Sequence, residues 1–247
     1  MYALGISLAV GLVVFGIIAA WLGPLAAIVP GVGVALVGMF LISRQVGQRV
    51  EAAMAAIVPL LQNRRIKEAE AHIRQVQKQY GPWQFLLAGQ LDAQLGMIEY
   101  MQMHWDKALP LLQSGQFRNW TALVCIGCVH YRKGRKEQAW EAFEKAASAS
   151  SKEVVIYGIW AHLLVKDGKR TEALEAVSKG LKAQPESQAL KDLKQRIANK
   201  KKVNAKAFGE VWFQFFPEEL RQQALVRGRG NQAQMQPRLG ARHAPRR

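Results

Sequence analysis

Cysteine is nearly missing from this sequence: Cys125 and Cys128 are the only two in 247 residues. Two cysteines cannot make a disulfide framework, and their number does not argue for secretion. No Gly-rich phosphate loop, G-x-S-x-G or H-E-x-x-H is present, which removes the sequence basis for phosphate, nucleophile-elbow and zinc-protease chemistry. The five histidines, His72, His104, His130, His162 and His243, stand without a carboxylate or nucleophile partner at helical spacing. Neither an enzyme, a metal site nor a cofactor is expected. No convincing alternating apolar stretch occurs after residue 50, so strands are not expected either. Acidic residues are few, 18 against 34 Lys and Arg, for a net charge of +16. The deficit is greatest at the end, where residues 190–247 hold fourteen basic and four acidic side chains, a net of +10.

The most informative absence is at the other end. Residues 1–43 contain no Asp, Glu, Lys, Arg or His. Two apolar runs, residues 3–22 and 25–42, are separated by Gly23-Pro24. At about 1.5 Å of rise per residue, each run spans roughly the ~30 Å hydrocarbon core of a bilayer. Hydrocarbon obliges the backbone to satisfy its own hydrogen bonds, so each run should be a helix and the pair an antiparallel transmembrane hairpin. The first basic residues, Arg44 and Arg49 with Arg64, Arg65 and Lys67 beyond, put the chain from residue 44 onward in the cytoplasm by the positive-inside bias. A cleavable signal peptide fits poorly, because the run is too long, lacks a basic start and is succeeded by a second. In the second run Ala27, Gly31 and Ala35 recur at four-residue spacing, which allows close helix packing within the hairpin or against another membrane subunit.

From residue 50 the apolar positions recur at three and four. Breaks at Asn63, Gly81-Pro82, Met103-His104, Ser114-Gly115, Lys133-Gly134, residues 148–151, Asp167-Gly168 and Gln184-Pro185 mark off helices of about 12 to 18 residues in pairs. One phrase recurs four times: a short turn, an Ala, and an apolar residue four positions later. It supplies Ala69 with Ile73, Ala108 with Leu112, Ala139 with Phe143 and Ala173 with Val177, the alanines spaced 39, 31 and 34 apart. With Leu95-Gly96, Gly127, turn glycines Gly134 and Gly168, the aromatic Phe143 and the closing Pro185, residues 50–200 resemble the tetratricopeptide repeat (TPR). The first repeat departs from the pattern by lacking the Leu-Gly pair. The alternative is a non-repetitive helical bundle. Residues 186–202, with Ala189, Leu190, Leu193 and Ile197 on one face, look like the capping helix of such an array.

Cys125-Ile126-Gly127-Cys128 is a C-x-x-C, so thiol–disulfide chemistry must be weighed. The pair falls in mid-helix with no strand beside it and no second ligand pair, which favours ordinary helix residues. The resemblance implies instead a partner-binding concave groove carrying Gln90, Gln94, Met97, Tyr100, Met101, Thr121, Cys125, Cys128, Tyr131, Arg132, His162 and Lys166. Met54, Val58, Gln94, Thr121 and Cys125 stand at the positions where the chaperone-binding branch clamps a terminal carboxylate, so that clamp is not carried over. A Met- and Tyr-lined groove suits an amphipathic helix or an extended apolar segment. Several of the twelve could equally be core between repeats.

In the tail, Phe208, Trp212, Phe215 and Phe216 recur at helical spacing near Lys200, Lys201, Lys202 and Lys206, and Pro217-Glu218-Glu219 reads as a helix start. This segment could fold back on the helices, lie in a membrane interface or dock a partner. Residues 227–247, with Arg227, Arg229 and four further arginines but no acid, read as disordered and suited to lipid or partner contact. The expected fold is all-α: a hairpin (1–43), a TPR-like α-solenoid of about four helix pairs with a capping helix (44–202), an aromatic segment with a short helix (203–226) and an Arg-rich tail (227–247). The expected function is a membrane-anchored TPR scaffold or adaptor that binds protein partners to assemble or regulate an envelope or membrane complex, at the cytoplasmic face of a bacterial inner membrane. The alternatives are a tether for RNA or ribosomes through the Arg-rich tail and, less favoured, a thiol oxidoreductase.

Overall fold

The computed structural model describes residues 2–84 and 86–222, and every regular element among them is helical. The chain divides into two compact units, residues 1–100 with 104–151, and residues 101–103 with 152 onward. The Arg227 and Arg229 contacts expected of the tail lie outside the described residues.

The first unit opens with α1 (Tyr2–Leu22) and α2 (Pro24–Ala55), both long and apolar enough to cross a membrane by length and composition. They pair antiparallel: Gly11 meets Ala35, Gly31 meets Phe15 and Gly38 lies beside Ser7. A Cβ on Gly11 would stand 2.7 Å from that of Ala35, so the small residues let the two backbones close. Ala27, Gly31 and Ala35 are therefore used in packing the hairpin on itself. Pro24 sits in the first turn of α2, where its missing N–H costs nothing.

Helix α2 does not stop where the charges begin; it runs through Arg44 and Arg49 to Ala55. Its Val46 joins Ile57 of α3 (Ile57–Gln62), Ala69, Ile73 and Val76 of α4 (Ile66–Tyr80) and Leu87, Leu91 and Leu95 of α5 (Leu87–Met101) in one buried cluster, with Ile42 packed against it. Residues 43 and 44 both lie inside the first unit, which ends at Ser151. Three helices complete this unit: α6 (Trp105–Ser114), α7 (Trp120–Arg132) and α8 (Lys136–Ala149). The second unit holds α9 (Val154–Lys166), α10 (Arg170–Ala183), α11 (Gln188–Ala198) and two 3-10 turns, Ala205–Phe208 and Glu210–Phe215.

Four times the chain turns from one helix into the next in the same way. A residue in the left-handed region, Arg64, Met103, Gly134 or Gly168 (φ 57°, 65°, 73° and 82°), precedes the N-cap. The N-caps Arg65, His104, Arg135 and Lys169 share φ between −83° and −88° and ψ between 58° and 69°. Each N-cap N–H donates to the carbonyl five residues back, on Leu60, Glu99, His130 and Leu164, at 2.8, 3.0, 2.9 and 2.9 Å. This closes the preceding helix as a Schellman-type cap and starts the next at a fixed angle. Four residues past each N-cap stands one of the repeated alanines, all fully buried, and four further on the buried Ile73, Leu112, Phe143 or Val177.

The small residues opposite make room for these side chains. A Cβ on Gly96 would be 2.9 Å from Leu112, and one on Gly127 2.8 Å from Phe143. In the second unit Gly180 of α10 receives Tyr157 of α9 and Leu190 of α11. Helix α11 buries Leu190, Leu193 and Ile197 and is capped by the Ser187 hydroxyl, which accepts from Leu190 N at 3.4 Å. It ends in the same kind of turn, with Lys200 at φ 56° and Lys201 N donating to Arg196 O at 2.8 Å. No α-helix resumes there.

Candidate functional site

In the first unit, α5 and α7 bring together most of the side chains expected to line a groove. Asn119 caps α7 by accepting from Ala122 N at 3.1 Å, and within that helix Cys125 and Cys128 stand about one turn apart. Both cysteines are buried and neither forms a disulfide. The Cys125 Sγ donates to Met97 Sδ on α5 at 3.3 Å. Burial pushes the Cys125 thiol well up, and the neighbouring Cys128 adds to the shift, so at neutral pH it is held as the thiol, the poorer nucleophile.

Tyr100, on the same face of α5 one turn beyond Met97, is fully buried, and its hydroxyl accepts from Arg132 Nη1 at 2.9 Å. The Arg132 guanidinium also lies 4.7 Å above the Trp105 ring and 5.6 Å above that of Tyr100. A delocalised cation over aromatic rings gains from their negative faces. Desolvation raises the Tyr100 phenol well above its ordinary range despite Arg132. These groups join α5, α6 and α7.

The twelve expected groove residues thus separate. Tyr100, Cys125 and Cys128 are core; Met97, Thr121, Tyr131 and Arg132 are half-buried; Gln90 and Gln94 are exposed. Within the second unit Met101 and Lys166 are exposed and His162 is half-buried. One open groove in the first unit, of about 520 Å³, is lined by Gln90 and Gln94 together with Ser114, Arg118 and Asn119. Phe117, 64% exposed, borders it. Sequence reasoning missed Phe117 and Arg118 because they lie in the turn between α6 and α7, where no helical face marks an aromatic as core or surface. Their signal was an aromatic and an arginine flanked by turn residues, Gly115-Gln116 and Asn119.

A histidine pairing was also missed. His104 Nδ1 stands 2.7 Å from Oε2 of the buried Glu99. The pair is five apart and meets because the left-handed Met103 turns the chain back over the end of α5, a contact helical spacing cannot reveal.

In the second unit the tail aromatics are packed inward. Phe208 covers Gly158 of α9, where a Cβ would stand 2.5 Å from its ring. Trp212, Phe215 and Phe216 are buried. The His162 ring meets Trp212 and Phe216 edge-on at 5.4 and 5.5 Å, and Phe208 stacks on Trp212 at 5.2 Å. Burial, with Lys166 adding, pushes His162 down to about 4. Trp212, Phe215 and Phe216 are accordingly not offered to lipid or a partner. The segment is 3-10 rather than α-helical because Gly209 (φ 73°) breaks it and the rings track the surface of α9. Pro217 does open a helical stretch, residues 217–222.

Among the described residues no group of three or more His, Cys, Asp or Glu is placed to hold a metal ion. No family model matches this chain, and no curated protein matches it.

Proposed function

We propose that this protein is a membrane-anchored adaptor of the TPR type, holding a partner segment in a groove beside the bilayer. The observation that carries the reading is the turn repeated four times with one geometry, each succeeded by a buried Ala and a buried apolar residue four later. Repetition of that order is what stacked helix pairs require, because each pair must meet the next with the same offset. The α1–α2 hairpin is the anchor, with the repeats on the cytoplasmic side of a bacterial inner membrane, as the basic residues after Ser43 favour. Anchoring raises the local concentration of a partner already in the membrane, so modest affinity suffices.

The groove bordered by Gln90, Gln94, Asn119, Arg118 and Phe117 suits an extended segment: side-chain amides pair with its backbone and Phe117 gives an apolar anchor. The buried thiol pair, with Cys125 held protonated, supports a binding role over thiol–disulfide chemistry. The test is isolation from crosslinked membranes with and without nuclease, and identification by mass spectrometry. A nuclease-resistant set of membrane-complex subunits, crosslinked within residues 90–119, is expected. Ribosomal or RNA-associated partners that vanish with nuclease and crosslink beyond Arg221 would replace the scaffold with an RNA tether.

A further inference from the structure

We propose that the loop between α4 and α5, at its described residues 81–84 and 86, is a third lipid-contacting element that holds the α4–α5 pair against the bilayer surface. The proposal rests on the reading of α1 and α2 as a membrane hairpin.

The loop is tied to both hairpin helices at one level. Tyr2 N donates to Pro82 O at 3.0 Å and Ala3 N to Trp83 O at 3.3 Å. These N–H groups belong to the first turn of α1, which has no intrahelical acceptors for them, and a helix entering lipid needs them satisfied. The loop carbonyls do what a capping side chain does elsewhere. On the other helix, Gln84 Nε2 donates to Ser43 O at 2.7 Å, on the last residue of the charge-free stretch.

Length sets the depth. Helix α1 has 21 residues, about 31 Å at ~1.5 Å per residue, which matches the hydrocarbon thickness. With Gly23 at one face, Tyr2 and Ser43 both come to the other. Whatever is hydrogen-bonded to them lies in the headgroup layer.

The chemistry of the loop fits that layer. The Trp83 and Tyr2 rings meet edge-on at 5.7 Å, the pair of residue types that collects at membrane interfaces. Pro82 is exposed and Leu86 is 38% exposed, and residues 79–91 carry no charge. Lys78, exposed in the last turn of α4, and the exposed Arg44 flank the apolar segment, as suits anionic headgroups. Ile42 and Trp83 both pack against the first unit's buried cluster, so no polar spacer separates the hairpin from α4 and α5.

The test uses the full chain in vesicles of phosphatidylcholine and phosphatidylglycerol. Nitroxide labels are placed at Pro82→Cys and Leu86→Cys, with Val29→Cys as the hydrocarbon control and Lys152→Cys as the aqueous control. Labelled wild type gives the background from the buried native thiols. Collision with a water-soluble nickel complex at positions 82 and 86 is expected to be several-fold below that at 152, with oxygen collision raised towards that at 29. Nickel access at 82 and 86 equal to that at 152, with 29 still protected, overturns the loop proposal and leaves the hairpin standing. Nickel access at 29 as well overturns the membrane reading and the proposal with it. Should either label perturb folding, tryptophan quenching by lipid brominated near the headgroup decides: it should be greater in wild type than in Trp83→Phe, and equal quenching rejects the loop contact.

Discussion

Gly127 shows how much depends on the absence of one methyl group. Its missing Cβ is where the Phe143 ring lies, 2.8 Å from the point a methyl would occupy. Gly127→Ala should therefore force Phe143 off its rotamer, and a loss of about 1–3 kcal/mol is expected from denaturant unfolding in detergent. A change below measurement error would mean that the ring can move aside. His162 makes a second prediction. Its ordinary value is 6.5 and the fold lowers it to about 4, chiefly by burial against the tail aromatics. From pH 6.5 down to 4 the unfolded chain binds a proton that the folded chain refuses, so this stability is complete above the window and declines through it. The loss below pH 4 is on the order of 3 kcal/mol. The fall in melting temperature over that range should be visibly shallower in His162→Phe than in wild type. Equal slopes would assign the acid sensitivity to the carboxylates. At this scale the sequence told little about the site: Tyr100, Cys125 and Cys128 stand on the right helices, but spacing alone could not show that Met97 and Arg132 close over them.

At the scale of elements, the breaks at Asn63, Met103, Lys133, Asp167 and Gln184 were legible because helix periodicity ends there and turn residues come next. The repeated αL position was legible only where glycine fills it. Arg64 and Met103 adopt the same conformation with a Cβ in place, which composition does not signal. Gly134→Ala and Gly168→Ala should each cost about 1 kcal/mol, since only glycine enters that region freely. Arg64→Ala should be nearly neutral, because a Cβ is tolerated there already. Midpoints from chemical denaturation check the contrast; equal effects at all three sites would remove the turn as a shared structural device. The tail's 3-10 form was not legible in its spacing, for a definite reason. Phe208, Trp212, Phe215 and Phe216 do recur at helical spacing, but their common partner is α9, and local periodicity says nothing about a partner more than forty residues earlier in the chain.

For the whole molecule, the decisive element is α2. The first charge, at Arg44, suggested the end of an element there; the backbone continues to Ala55, with no proline in between and Gly47 accommodated in the helix. One helix therefore belongs to the candidate anchor and to the buried cluster that contains Val46, Ile57, Ile73 and Leu91. A partner held in the groove at Gln90 and Gln94 would thus be held by a body continuous with the candidate membrane helix α2. The most direct measurement is photocrosslinking in living cells from a benzoyl-phenylalanine placed in turn at Gln94, Phe117 and, as an outward-facing control on α10, Glu175. The scaffold reading expects one membrane-associated protein captured from 94 and 117 and not from 175, with capture from 94 lost on Gln90→Arg. Equal capture from all three positions, or none from 94 and 117 while the protein is membrane-bound and active, would contradict it.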